Sequence, residues 1–102
     1  MRAVRDEAGT RTEGRERFAS VFKERYRELY GLGYRLLGDH GEAEDVVQET
    51  FLKLDGHPVL ERPDGEIAAW LRRVCLNTAY NRLRGQRRAT ARLDRAGRAE
   101  RA

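Results

Sequence analysis

The segment 43–54 carries the clearest periodic pattern in the chain. Apolar or small side chains recur at i, i+3, i+4, i+7, i+8 and i+11, which at about 100° per residue places them on one face of a helix. These positions are Ala43, Val46, Val47, Thr50, Phe51 and Leu54. Asp39 is a suitable N-cap, and Glu42 three residues later completes a capping-box pattern. The pattern therefore predicts a helix over 39–54 with an apolar face packed on other helices.

A longer helix is predicted on each side of this segment. The first spans 15–37 and ends at Gly38, and the other spans 64–88 with Asp64 as its N-cap. The first apolar stripe consists of Phe18, Phe22, Leu29, Leu32 and Leu36, widened by Val21, Tyr26, Tyr30 and Leu37. The inward stripe of the other helix consists of Ile67, Trp70, Leu71, Val74 and Thr78. We expect an all-α fold, a compact bundle of three to four helices.

The ends and the middle of the chain lack this periodicity. Residues 1–14 mix charge with Gly and Thr, and predict a disordered leader. Residues 89–102 are rich in Arg and Ala, and predict a frayed helix end or basic linker. The predicted domain thus spans 15–88. Within it, 55–65 contains two Pro and two Gly residues and predicts a loop between the second and third helices.

Charge is distributed unevenly along the chain. Residues 1–71 contain 11 Lys and Arg against 15 Asp and Glu, whereas residues 72–102 contain 10 Arg against 2 acidic residues. An acidic body with a basic C-terminal segment favours two partners of opposite sign, although a merely solvated basic tail has the same composition.

Several classes of function have no support in the sequence. Cys75 is the single cysteine, and its place inside a helical pattern favours a packed thiol. His40 and His57 are isolated, so we assign no metal, and the chain has no phosphate-binding glycine loop or catalytic triad pattern. We therefore expect no enzyme, cofactor or small-molecule substrate. No apolar run approaches the roughly 18 residues of a membrane span, and we expect a soluble, cytoplasmic protein.

The central helix has a second face, opposite its apolar stripe. Its side chains stand at i, i+3, i+4 and i+7, and they are Asp45, Gln48, Glu49 and Leu52. One interpretation is a solvated charged face with a single exposed leucine. The other is a docking surface, in which an apolar anchor ringed by carboxylates and an amide binds a basic partner helix.

The third helix also carries a mixed polar face. It comprises Arg73, Asn77, Tyr80 and Arg84, with Asn81 at its edge. Guanidinium groups neutralise phosphates, Asn can pair with a base edge, and Tyr can stack on an unpaired base. Spacing alone is equally compatible with an ordinary arginine-rich solvated helix.

Two motifs in order resemble a known family. The run GDHGEAEDVVQETFLKL, followed after a loop by AAWLRRVCLNTAYNRLR, resembles the second conserved region of bacterial sigma-70-family factors, in the small extracytoplasmic-function group. The resemblance covers Phe18 to Arg88. It implies that Asp45, Gln48, Glu49 and Leu52 dock on a coiled coil of the RNA polymerase β′ subunit. It also implies that the motif around Asn77 recognises the promoter minus-ten element and helps to open the strands.

The resemblance gives the loop a role as well. In the family, this loop and the start of the next helix receive a flipped base of the non-template strand, which here points to His57, Leu60 and Arg62. Family members often place an aromatic residue there, and this chain instead has Val59, Leu60, Glu61 and Arg62. The family also has a second helical domain, called region 4, which has no counterpart here, and its members are often held inactive by an anti-sigma protein.

Two hypotheses follow from the sequence. The first is a promoter-recognition subunit that binds RNA polymerase and non-template DNA without any enzymatic activity. The alternative is a helical interaction module whose acidic face binds a basic helix and whose arginines only solvate the surface.

Overall fold

The computed structural model describes the backbone of residues 2–101 and the side chains of residues 12–96. Its elements are helix α1 (Arg2–Leu37), helix α2 (His40–Leu54), a short 3-10 helix (Pro58–Glu61) and helix α3 (Asp64–Arg101). Within the described residues there is no strand. The predicted all-α bundle of three to four helices is confirmed. Across the described part of the chain, no helix is both long and apolar enough to cross a bilayer.

The start of α2 is determined by its capping residues. The Asp39 carboxylate accepts a hydrogen bond from the Glu42 backbone N–H at 2.9 Å, which satisfies a donor that the first helical turn leaves free. Gly38 ends α1 with φ of 67°, and its N–H donates to the Tyr34 carbonyl at 2.7 Å. The predicted N-cap of α2 at Asp39 and the predicted end of α1 at Gly38 are therefore confirmed. The capping box is incomplete, because the Glu42 carboxylate accepts a hydrogen bond from the Gln86 side chain of α3.

The core is built around the apolar stripe of α2. All six predicted positions, from Ala43 to Leu54, are buried. They pack against Leu29 of α1 and against Ile67 and Leu71 of α3, all of which are fully or almost fully buried. The prediction for α2 is confirmed because one uninterrupted helix presents its entire apolar stripe to the same two neighbours.

The buried face of α3 is rotated relative to the predicted stripe. Ile67, Leu71 and Thr78 are buried as expected, but Trp70 and Val74 are only half-buried. The positions that replace them in the core are Ala68, Cys75 and Ala79. Small side chains let α3 approach both α1 and α2, whereas a tryptophan there would hold the helices apart.

Both long helices extend beyond their predicted ends. Helix α1 begins at Arg2, before the predicted start at residue 15, and α3 continues to Arg101, past the predicted end at residue 88. Neither extension contains a proline. Residues 2–14 include three Arg, two Ala and two Glu, and residues 89–101 include four Arg and four Ala, all of which favour helix. The side chains of 1–11 and 97–102 lie outside the described residues. The division into a leader, a domain over 15–88 and a tail stays a prediction.

One glycine of α1 lies directly against α2. A Cβ atom at Gly33 would lie 3.4 Å from the Ala43 Cα and 3.5 Å from its carbonyl oxygen. A Cβ atom at Gly31 would meet no other heavy atom within 4 Å. Of the two glycines in the middle of α1, Gly33 is thus the one where a side chain larger than alanine would press on α2.

An ion pair joins α1 to α3 on the surface of the bundle. The Arg72 Nε atom lies 2.5 Å from the Glu28 Oε1 atom. Hydrogen bonding from Arg72 lowers the pKa of the Glu28 carboxyl below its usual value of 4.5. Both side chains are more than a third exposed, so the pair contributes less than about 1 kcal/mol to folding.

Gly33→Val should lower the free energy of unfolding by about 1–3 kcal/mol, because the branched side chain overpacks the contact with Ala43. Gly31→Val is the matched control and should be neutral or slightly stabilising, since it removes a helical glycine in open space. Urea unfolding followed by circular dichroism measures both. Equal effects of the two substitutions would contradict the assigned role of Gly33.

Glu28→Gln should destabilise the protein by less than about 1 kcal/mol at neutral pH. A carboxyl whose pKa is lower in the folded than in the unfolded state stabilises the fold at higher pH, and this contribution disappears as pH falls through the folded pKa. The difference between parent and variant should therefore shrink below pH 4.5. Urea unfolding of the parent and the variant at several pH values tests this. A difference in stability that persists in acid would show that it does not arise from the Glu28–Arg72 ion pair.

Candidate functional site

The outer face of α2, formed by Asp45, Gln48, Glu49 and Leu52, lies on the surface of the bundle. The Leu52 side chain is 74% exposed, Asp45 and Gln48 are exposed, and Glu49 is half-buried. The opposite stripe of α2 fills the core, so packing holds these four side chains outward. The arrangement places one large apolar side chain among two carboxylates and an amide.

Each carboxylate of the α2 outer face has a cationic neighbour. The Asp45 Oδ2 atom lies 3.6 Å from the Arg82 Nη1 atom of α3, and the Glu49 Oε1 atom lies 3.9 Å from the Lys53 Nζ atom one turn along α2. All four side chains are at least about a third exposed, and pairs of this kind are weak. The acids are therefore partly neutralised but accessible to a partner.

The polar face of α3, formed by Arg73, Asn77, Tyr80, Asn81 and Arg84, is exposed at all five positions. Tyr80 is 48% exposed, so a large part of its ring is open to stacking. The Arg84 guanidinium donates a hydrogen bond to the Asn81 side-chain carbonyl, which orients that amide. The structure thus brings cations, amides and one aromatic ring together on one surface.

Arg17 of α1 holds the loop between α2 and α3 by hydrogen bonds. Its Nε atom donates to the Leu60 carbonyl at 2.6 Å and its Nη2 atom donates to the Arg62 carbonyl at 2.7 Å. The same Nη2 atom lies 3.2 Å from the Asp64 carboxylate. Sequence analysis missed Arg17, and no local pattern could have found it, because its partners lie 43–47 residues away along the chain.

The three predicted loop residues have different environments. His57 caps the 3-10 helix, where its Nδ1 atom accepts the Val59 N–H at 3.0 Å, and its ring centroid lies 4.6 Å from that of Trp70. Leu60 is buried in the core. Arg62 pairs with Glu66 at 2.7 Å, which raises the pKa of Arg62 and lowers that of Glu66.

A groove of about 850 Å³ lies between this loop and the adjoining part of α1. His57 and Leu60 line it, together with Arg17 and Phe18 of α1. Arg62 is not part of its wall. The structure therefore brings two of the three predicted loop residues to one cavity and leaves the third on the outer surface.

A smaller polar cleft separates α2 from α3. It has a volume of about 250 Å³ and is lined by Glu49, Lys53, Thr78, Asn81 and Arg82. We call it the interhelical cleft. Because Glu49 belongs to the α2 outer face and Asn81 to the α3 polar face, the cleft joins the two predicted surfaces. Sequence analysis placed Thr78 in the core and assigned no role to Lys53.

Cys75 and the possible metal-ligating side chains were the other candidates for reactive chemistry. Cys75 is buried, and its burial raises the pKa of the thiol, which disfavours the thiolate that would act as a nucleophile. Within the described part of the chain, no group of three or more His, Cys, Asp or Glu side chains could hold a metal ion.

Comparison with known proteins identifies relatives of this chain. The Sigma-70 region 2 family model matches residues 21–89. The RNA polymerase sigma-H factor of Pseudomonas aeruginosa is 40% identical over 62 residues, which cover 59% of this chain and 32% of that protein. The ECF RNA polymerase sigma factor SigW of Bacillus subtilis is 31% identical over 71 residues, which cover 66% of this chain and 36% of that protein.

The chain thus spans about a third of the length of these two relatives. The comparison with solved structures gave no significant match. The family model covers well over half of the chain and includes both helices that carry the predicted surfaces. The chain therefore belongs to the Sigma-70 region 2 family.

Proposed function

We propose that this domain binds core RNA polymerase through the α2 outer face and reads the promoter minus-ten element through the α3 polar face. Membership of the family makes it part of a transcription initiation factor rather than an enzyme. The observation that carries the finer proposal is the exposure of two chemically different faces on neighbouring helices, one acidic with an apolar anchor and one cationic with amides.

The α2 outer face suits a basic helical partner. An exposed leucine gains free energy by burial in a partner's groove, and the surrounding carboxylates attract cationic side chains and select their register. Leu52 provides the anchor, while Asp45 and Glu49 provide the charge. The partner that the family resemblance suggests is the coiled coil of the β′ subunit.

The α3 polar face suits a single DNA strand. Arg73 and Arg84 would neutralise phosphates, Asn77 would bond to a base edge, and Tyr80 would stack on a base. Phosphate contacts position the strand, and the amide contributes the sequence preference. Positive charge continues along α3 beyond this face, where Arg87, Arg88, Arg92 and Arg95 are exposed.

Strand opening would follow from capture of an unpaired base. Unstacking a base costs a few kcal/mol, which a preformed cavity and phosphate contacts can offset once polymerase holds the duplex. The groove beside His57 and Leu60 is the candidate cavity, and the hydrogen bonds from Arg17 keep its loop in place before DNA arrives.

The same surfaces would serve regulation. An anti-sigma protein that covers Leu52 or the α3 polar face would prevent both interactions. Cytoplasmic localisation, where polymerase and promoter DNA are found, belongs to this proposal as well.

Glu49→Arg should weaken binding of the isolated β′ coiled coil at least tenfold, which corresponds to about 1.4 kcal/mol, because it reverses a charge in the middle of the docking face. The effect should shrink as salt increases. Glu44→Arg makes the same charge change at an exposed position outside that face, and is the control. Titration calorimetry at two salt concentrations measures both. Absence of binding by the folded parent would favour the interaction module with another basic partner.

Asn77→Ala should reduce discrimination among minus-ten sequences by about 1–3 kcal/mol, because the variant loses the hydrogen bonds to a base edge. Its affinity for the coiled coil should not change. Arg73→Gln is the comparison: it should weaken binding to every sequence about equally and reduce the salt dependence. Competition binding with oligonucleotides randomised over the minus-ten element measures the difference. Unaltered discrimination by Asn77→Ala would exclude a base-reading role.

A further inference from the structure

Helix α3 continues past the bundle as a segment that packs on neither neighbouring helix. The Gln86 side chain still donates a hydrogen bond to Glu42 of α2. From residue 87 to residue 96, in contrast, the chain remains helical and every residue is exposed. We call residues 87–96 the projecting segment. Packing within the bundle gives no reason for the composition of this segment.

The projecting segment is strongly cationic. Its cations are Arg87, Arg88, Arg92 and Arg95, against the single acidic residue Asp94. None of the four guanidinium groups forms an ion pair within the described residues. The folded chain therefore leaves their charge open to an anionic partner.

The four arginines prolong the α3 polar face. At about 100° per residue, Arg88 and Arg95 lie within about 40° of Arg84 around the helix axis. Arg87 and Arg92 lie about 60° to one side of Arg84 and about 80° to the other. At about 1.5 Å per residue, the distance from Arg84 to Arg95 along the axis is about 16 Å. A continuous row of cations thus follows the polar face along the same side of α3.

The chemistry of this row differs from that of the α3 polar face. The polar face includes amides and Tyr80, which suit the edges and faces of unpaired bases. The projecting segment contains no aromatic residue, Asn or Gln. Proteins that bind single strands combine cations with aromatic rings on which bases stack, whereas cations alone suit phosphates. Double-stranded DNA, with one negative charge per about 1.7 Å of its axis, offers such a row the denser set of phosphates.

We propose that the projecting segment binds the phosphates of double-stranded DNA beside the opened promoter segment, without reading its sequence. The inference rests on the proposed function for its ligand, because a strand held by the α3 polar face joins a duplex at the edge of the opened segment. The polar face reads unpaired bases, and the projecting segment positions the adjoining duplex. Arg92 and Arg95 lie outside residues 21–89, so family membership assigns them no role.

The first test is the salt dependence of binding to a labelled duplex that contains no minus-ten sequence, measured by fluorescence anisotropy. Each phosphate contact on a duplex contributes about 0.9 to the slope of log K against log salt. The double variant Arg92→Gln, Arg95→Gln should therefore make the slope shallower by about 1.8. Lys23→Gln, Arg27→Gln removes the same charge from exposed positions of α1 and should leave the slope unchanged.

The outcomes of this titration are decisive. Absence of duplex binding at low salt, or an unchanged slope in the Arg92 and Arg95 double variant, would show that the arginines only solvate the helix and would overturn the inference. An equal loss of slope in the α1 control would overturn it as well, because binding would then depend on net charge alone.

Two substitutions that add charge test the orientation of the row. Ala91 and Leu93 are both exposed, and Leu93 is 73% exposed. By helix geometry, residue 91 lies about 20° from Arg84 and residue 93 about 180° from it. Ala91→Arg should make the duplex slope steeper by about 0.9, whereas Leu93→Arg should change it little. Equal steepening by both variants would contradict binding through this side of α3.

The inference and the proposed function fail in different ways. If the single-stranded minus-ten oligonucleotide and the β′ coiled coil both bind while the duplex slope does not depend on Arg92 and Arg95, only the inference is wrong. If the folded chain binds neither of them but its duplex slope depends on these arginines, the proposed function is overturned and duplex binding by the projecting segment stands.

Discussion

Burial of the apolar stripe of α2 is the constraint on which the rest of the structure depends. Val46, Val47 and Leu54 are completely buried between α1 and α3, so α2 cannot rotate about its axis without exposing them. Exposing even one such side chain costs about 1.5–3 kcal/mol, a large part of the stability of a small domain. The orientation of the α2 outer face, and with it the exposure of Leu52, is therefore a consequence of core packing.

The same packing brings opposite charges into proximity. Helix α3 has its basic residues on the sides that the core leaves free, and Arg82 and Arg72 meet acids of α2 and α1 there. The charge asymmetry of the sequence is consequently not a division into two distant halves. Acidic and basic side chains of the bundle lie within 4 Å of one another, and each partly screens the charge of the other.

Local patterns predicted the fold and the exposed faces, whereas long-range contacts could not be predicted. The apolar stripe of α2 and the cap at Asp39 depend on residues close together in sequence, so both were predicted correctly. Trp70 and Val74 of the predicted α3 stripe are only half-buried, because α3 packs against both α1 and α2 and small side chains fill those contacts. The contacts of Arg17 with the loop, and the place of Lys53 in the interhelical cleft, depend on partners and cavities that only the folded chain creates. The two long helices extend past their predicted ends because a charged, aperiodic segment without proline can still be helical.

Burial of the single cysteine has a practical consequence. The Cys75 thiol is fully buried and faces the Leu29 carbonyl of α1 at 3.6 Å, so a thiol reagent can reach it only when the bundle opens around α3. The rate of chemical labelling at Cys75 would then report this opening of the bundle without an introduced probe. The buried thiol is therefore a native probe of transient opening of the bundle.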